Sequence, residues 1–91
     1  MKTEELLKQA INEHLYRTKI EEVEDCHEYN LYRLVLDNNN ITTTELGTIS
    51  EVVGDYDLQV ETKRHGEYGC LLVVLATIDD GQIDEIREQY E

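Results

Sequence analysis

The chain has 91 residues, of which 21 are Asp or Glu and 8 are Lys or Arg, so its formal net charge is −13. This charge excludes a general nucleic-acid binder, because neutralising phosphates requires clustered Lys and Arg, and it favours a basic partner instead. The length, together with the 40% of apolar residues that recur in periodic blocks, predicts one folded domain over residues 1–91.

The first predicted element is an amphipathic helix over residues 4–17. Apolar side chains recur at i, i+3 and i+4 between Leu6 and Leu15, which gives the helix one apolar stripe. Thr3 suits the N-cap. His14 falls on the stripe, so we expect it to be part-buried and hydrogen-bonded rather than catalytic.

A first ββα unit is predicted over residues 19–54. The register of its first strand, 19–25, is uncertain because the apolar residues there break strict alternation. The second strand, 28–37, is strongly apolar. Thr42 and Glu45 have the spacing of a capping box at the start of the helix, and a glycine follows its end.

Residues 55–91 predict a second ββα unit that repeats the first. An alternating strand precedes a strongly apolar one, and Asp79 begins the last helix. Leu34-Val35-Leu36 in the first unit aligns with Val73-Val74-Leu75 in the second, although any two amphipathic ββα units would look somewhat alike. The fold class is therefore α+β: α-ββα-ββα, with one four-stranded antiparallel sheet and helices mainly on one face. The apolar second and fourth strands suit the centre, and the charged first and third strands suit the edges.

Successive side chains of a β-strand point to opposite faces, so some apolar side chains of the two central strands point away from the helices. This alternation places Leu31, Val35, Leu72 and Val74 on the opposite face, which a monomer would leave bare. Either the first helix crosses to cover that face or a second subunit does. We expect a homodimer built partly on these four residues.

The sequence lacks motifs for catalysis or cofactor binding. Its five glycines are isolated, so there is no glycine-rich phosphate loop. Ser50 is the only serine and lies in no nucleophile-elbow sequence. Cys26 and His27 have no further ligands at metal-binding spacing. We expect no enzymatic activity, no metal and no cofactor.

The N-terminal residues do not have the apolar stretch of a secretory signal. The longest apolar run, from Cys70 to Ala76, is far shorter than the ~20 residues that span a bilayer. We therefore expect a cytoplasmic protein with no membrane partner, whose two cysteines are free thiols.

The acidic residues are concentrated in the first hairpin and in the last helix. The candidates for binding a partner are Glu21, Glu22, Glu24, Asp25 and Glu28 in the first segment and Asp79, Asp80, Asp84, Glu85 and Glu88 in the second. Duplex DNA carries one charge per ~1.7 Å of axis, so the ~30 Å span of a domain this size faces about 18 phosphates. The net charge of −13 is comparable, although it could also serve solubility alone.

In size, acidity and lack of a catalytic motif, the chain resembles the small DNA-mimic and host-takeover proteins of bacteriophages, which include anti-CRISPR proteins and inhibitors of nucleoid proteins. Such proteins share no common fold, so the resemblance implies no residue roles. It implies an inhibitor in the host bacterial cytoplasm that binds a basic nucleic-acid-binding protein, such as the nucleoid protein HU, a CRISPR effector or a nuclease. The inhibitor would block the nucleic-acid site without binding nucleic acid itself. The alternative is a non-catalytic dimerisation or regulatory module.

Overall fold

A computed structural model describes all 91 residues. The helices and strands follow one another as α1 Thr3–Asn12, β1 Ile20–Asp25, β2 Leu31–Leu36, α2 Thr43–Val53, β3 Gln59–His65, β4 Gly69–Thr77 and α3 Asp80–Tyr90. The predicted α+β class and the α-ββα-ββα order are confirmed. None of the three helices has both the length and the apolar character needed to cross a bilayer.

The four strands form one antiparallel sheet in the order β1-β2-β4-β3. The strongly apolar β2 and β4 lie in the centre and the charged β1 and β3 lie at the edges, as predicted. The broken alternation in β1 has a structural cause, because the register shifts between Ile20 and Glu22. This β-bulge allows Ile20 and Val23 to face the same core although they are three residues apart.

All three helices contribute to one hydrophobic core on a single face of the sheet. Most of the core side chains are aliphatic, and the largest fully buried ones are Leu6, Leu7, Ile11, Ile20, Leu34, Leu36, Ile49, Ile78, Val53, Val73 and Val74. Of these, only Val73 lies outside the core under the helices. Burying one such side chain contributes about 1.5–3 kcal/mol, so the core is the main source of stability.

The prediction of which β4 side chains face the helices is wrong. Val74 pairs with Leu34 and is fully buried in the core, and Leu72 packs against the same core. Directly paired residues in an antiparallel sheet point to the same face. Aligning Leu34 with Val73 was therefore off by one residue, and a one-residue slip inverts every side chain of a strand.

The predicted dimer interface is consequently not one surface. Leu31 and Val35 lie on the face away from the helices, whereas Leu72 and Val74 lie on the face that the helices cover. Val35 is nonetheless buried without any helix over it. We call this second side of the sheet the open face.

The long side chains of charged residues cover part of the open face. Lys63 Nζ donates a hydrogen bond to Glu24 Oε1 at 3.1 Å, and Arg33 Nε lies 3.9 Å from Glu24 Oε2. Val35 and Val73 pair with each other on this face, and both are buried. The open face is therefore less bare in a monomer than its apolar content indicates.

The first helix is shorter than predicted, because it ends at Asn12 rather than at residue 17. Lys19 Nζ donates to the backbone carbonyl oxygens of Asn12, the last residue of the helix, and of Leu15. His14 is exposed rather than part-buried. Thr3 lies inside the helix instead of capping it.

The predicted capping box of α2 is confirmed. Thr42 Oγ1 accepts a hydrogen bond from the backbone N–H of Glu45 at 3.1 Å, and Glu45 Oε1 accepts one from the backbone N–H of Thr42 at 3.4 Å. Glu45 Oε2 accepts a further hydrogen bond from the buried backbone N–H of Thr18 at 3.1 Å. This carboxylate therefore joins the segment that enters β1 to the start of α2.

Candidate acidic interaction surface

The first turns of α1 and the outer side of β1 enclose an acidic groove. This shallow concavity of about 180 Å³ is lined by Glu4, Glu5, Lys8, Glu21, Glu22 and Val23. The groove exists because α1 packs its apolar stripe on β1, and the bulge leaves both Glu21 and Glu22 exposed instead of turning one of them inward. We call it the α1–β1 groove.

The beginning of α3 brings another carboxylate towards the first hairpin. Asn30 Nδ2 donates a hydrogen bond to Asp80 Oδ1 at 3.2 Å, and the backbone N–H of Ile78 donates to the Asn30 carbonyl at 2.9 Å. These bonds hold the β1–β2 turn against the start of α3. Three residues of the turn, His27, Tyr29 and Asn30, have positive φ, so left-handed backbone conformations define its shape.

Carboxylates from three elements surround the phenol of Tyr32. Burial raises the pKa of this tyrosine, and the negative charges of Asp25, Glu4 and Asp80 raise it further. These acids belong to β1, α1 and α3 respectively. Glu4 also lines the α1–β1 groove, so the acids of the groove and the acids near Tyr32 share this residue. Together we call them the acidic surface.

The structure brings together only some of the acids predicted in the first hairpin. Glu21 and Glu22 line the groove and also a concavity of about 350 Å³ that they share with Val35 and Lys63 on the open face. Asp25 lies beside Tyr32. Glu24 points to the open face, where it is engaged by Lys63. Glu28 is exposed in the β1–β2 turn.

The acids predicted in the last helix are divided among different surfaces. Asp80 joins the surroundings of Tyr32, whereas Asp79 occupies the N-cap position of α3 without a capping side-chain bond. Glu85 lines a separate concavity of about 160 Å³ between the helices. Asp84 and Glu88 are exposed on α3. The two predicted groups therefore meet through Asp25 and Asp80 rather than over their whole length.

Glu4 and Glu5 belong to the acidic surface, although they were not among the candidate residues predicted from the sequence. Their position next to β1 depends on how α1 packs on the sheet. The signal that could have found them was the acidic first turn itself, placed beside a strand that has the same charge.

Several of the basic residues do not offset this surface because they have partners of their own. Lys19 binds backbone carbonyl oxygens, Arg33 and Lys63 lie next to Glu24, and Arg87 Nη1 lies 2.6 Å from Glu91 Oε2. These account for four of the eight Lys and Arg residues. Most carboxylates of the acidic surface are thus available to an incoming cation.

The chain matches no protein-family model, no curated protein and no solved structure. No residue role, substrate or partner is therefore carried over from another protein. The function has to be inferred from the geometry and charge of the surface itself.

Proposed function

We propose that this protein is a DNA-mimic inhibitor, which binds a basic nucleic-acid-binding protein and occupies the site that holds nucleic acid. The observation that carries the proposal is the acidic surface, whose carboxylates come from α1, β1 and the start of α3. Its carboxylates sit largely on helices and strands, so their spacing is held by the fold. A fixed row of negative charges is what a basic groove recognises in a nucleic-acid backbone.

The size of the molecule supports the proposal. The longest dimension is 40 Å. One strand of duplex DNA places a phosphate about every 3.4 Å, so a strand of that length carries about 12 phosphates. The formal net charge of −13 is close to the charge of those phosphates. The whole molecule thus carries a net charge similar to that of one DNA strand of its length, and six of its carboxylates lie on the acidic surface.

Inhibition would work through competition for the same cations. Lys and Arg of the target would pair with Glu21, Glu22 and their neighbours in the α1–β1 groove, in place of phosphates. The overall negative charge would also speed the encounter with a basic target at low salt. Nucleic acid itself would be repelled, so the inhibitor binds the protein target and leaves the DNA free. A nucleoid protein such as HU, a CRISPR effector and a nuclease each present a groove of this kind.

The experiment begins with an affinity pull-down from bacterial lysate, with the captured protein identified by mass spectrometry. Displacement of labelled DNA from that target is then measured at two salt concentrations. We expect Glu21→Lys with Glu22→Lys to weaken displacement by about tenfold or more, since reversing a close charge changes the interaction by about 1 kcal/mol or more. Displacement should also weaken at the higher salt, because ion pairs at the surface are screened.

The matched control reverses two acids outside the groove, with Asp57→Lys and Glu67→Lys. Both residues are exposed, and the pair changes the net charge by the same amount. This variant should displace DNA within about threefold of the wild type, because it changes only the net charge and leaves the acids of the groove intact. If DNA and the protein bind the target simultaneously, with affinity indifferent to salt and to the groove variant, mimicry is wrong. A dimerisation or regulatory module then explains the chain better.

A further inference from the structure

The outer side of β3 has the features of a strand that can accept another strand. β3 pairs with β4 in unbroken register from Gln59–Leu75 to His65–Gly69. Its other side pairs with no strand of the sheet. The strand contains neither a bulge nor a proline, which are two of the usual means of blocking an edge. A regular edge of this kind presents backbone N–H and C=O groups for strand addition.

The helical layer leaves β3 uncovered as well. Val60 pairs with Val74 and Thr62 pairs with Leu72, so both β3 residues point to the face on which the helices pack. Both are nevertheless exposed, and Val60 keeps 45% of its accessible surface. A partner could therefore approach this edge of the sheet without displacing any helix.

The charge of β3 differs from that of the rest of the molecule. Its charged residues are Glu61, Lys63 and Arg64, which give the strand a formal charge of +1 within a chain of −13. Two copies of so acidic a chain repel each other over most of their surfaces. Their β3 edges carry a small positive charge and do not add to that repulsion, which favours a second copy as the occupant.

We propose that two copies of the chain pair their β3 strands in antiparallel fashion about a twofold axis at Thr62. The two four-stranded sheets then become one sheet of eight strands. In this register, Glu61 of each copy lies opposite Lys63 of the other, and oppositely charged cross-strand pairs stabilise a sheet. An axis at Glu61 or at Lys63 would instead bring two like charges together.

This dimer would place the two α1–β1 grooves at the far ends of the joined sheet, because β1 and β3 are opposite edges of each copy. The inference does not depend on the proposed function, since it concerns only self-association. Dimerisation and DNA displacement are measured separately, so one can fail without the other.

The first test is sedimentation equilibrium from about 10 µM to about 500 µM, a range suited to a small interface of this kind. The wild type should approach twice the 10.6 kDa chain mass as its concentration rises. Thr62→Lys should remain monomeric, because it places two positive charges face to face on the axis. Gln89→Lys, which adds the same charge at an exposed position of α3, should dimerise like the wild type.

The second test uses charge complementation to identify the register. Glu61→Lys alone and Lys63→Glu alone should each be monomeric, because each opposes like charges across the axis. An equimolar mixture of the two variants should form a heterodimer, since every pair at the interface is then of opposite charge. Circular dichroism of each variant verifies folding, because Lys63→Glu also removes the contact with Glu24.

A wild type that stays monomeric over the whole range would overturn the proposal. It would equally be overturned by a Thr62→Lys variant that dimerises as well as Gln89→Lys, which would place any dimer interface elsewhere. Complementation that fails while the wild type dimerises would contradict the register at Thr62.

Discussion

β1 and β3 occupy opposite edges of one sheet and differ in what lies along their outer sides. The outer side of β1 is closed by a bulge at Glu21 and lies next to α1. β3 has a regular backbone, no helix over its side chains and a mixture of charges. The acidic edge is thus protected from strand pairing while its carboxylates remain available to a basic partner. The β3 edge, which carries charges of both signs, is the one suited to self-association.

Asn12 contributes to this difference by occupying a position where a neighbouring strand would bind. Its Nδ2 donates to the carbonyl oxygen of Ile20 at 2.9 Å, and its Oδ1 accepts from the Ile20 backbone N–H at 2.7 Å. One side-chain amide thereby satisfies both backbone groups of an edge residue, as a paired strand would. No side chain does the same for β3.

The largest expected effect comes from Glu45→Ala, which releases the segment entering β1. The variant removes the acceptor of the buried Thr18 N–H and half of the α2 capping box. We expect a loss of about 2–4 kcal/mol in the free energy of unfolding, measured in urea, because an orphaned buried donor and a lost cap each cost about 1–2 kcal/mol. Glu51→Ala, at an exposed position of the same helix, should change it by less than about 0.5 kcal/mol.

The same carboxylate makes stability depend on pH. Burial acts to raise the pKa of Glu45, but the hydrogen bonds from Thr18 and Thr42 outweigh it and hold that pKa below its ordinary value of 4.5. Its contribution is therefore present above pH 4.5 and is lost as the pH falls through the lower, folded-state pKa. Urea unfolding repeated at acid pH should show a shallower loss of stability for Glu45→Ala than for the wild type. Equal slopes would mean that Glu45 is not the group responsible.

A smaller effect is expected from Asn12→Ala, which opens the protected edge. Losing both bonds to Ile20 should lower the free energy of unfolding by about 1–2 kcal/mol and accelerate hydrogen exchange at the Ile20 amide. Asn39→Ala, an exposed position in the loop after β2, provides the control and should have little effect. An unchanged exchange rate at Ile20 would show that the bulge and the charges protect β1 without Asn12.

The smallest expected effect is that of Glu24→Gln, which removes the link between the two edges across the open face. Glu24 and Lys63 are both partly exposed, so their ion pair should contribute less than about 1 kcal/mol to the free energy of unfolding. The difference from the wild type should shrink in high salt. Glu67→Gln, in the exposed β3–β4 turn, is the control. A larger loss that persists in salt would show that Glu24 acts through the buried Nε of Arg33, which has no hydrogen-bond partner.

The sequence predicted the features that depend on a local motif or on a large difference in composition between strands. Thr42 and Glu45 sit at a spacing that specifies a cap by itself, and their capping box is confirmed. The contrast between apolar and charged strands correctly separated the centre of the sheet from its edges. The sequence could not show which β4 side chains face the helices. Apolar residues occupy both faces of this strand, so no alternation of apolar and polar residues distinguishes them.

The features that the sequence did not predict depend on contacts between distant residues. The early end of α1 requires Lys19 and Ile20 to come back to the last turn of the helix. The α1–β1 groove requires α1 to pack on a bulged strand. Acid density along the chain indicated a candidate surface and included Asp80, but only the fold shows that Glu4 belongs to it.

The most direct test of the account measures displacement of DNA from the captured target by two variants, one altered at each edge. Glu21→Lys with Glu22→Lys should lose displacement, although its edge at β3 is intact. Thr62→Lys should displace DNA with nearly the wild-type activity per chain, although it does not dimerise. Displacement that survives charge reversal in the α1–β1 groove would contradict the account, because the acidic surface would then not be what the target binds.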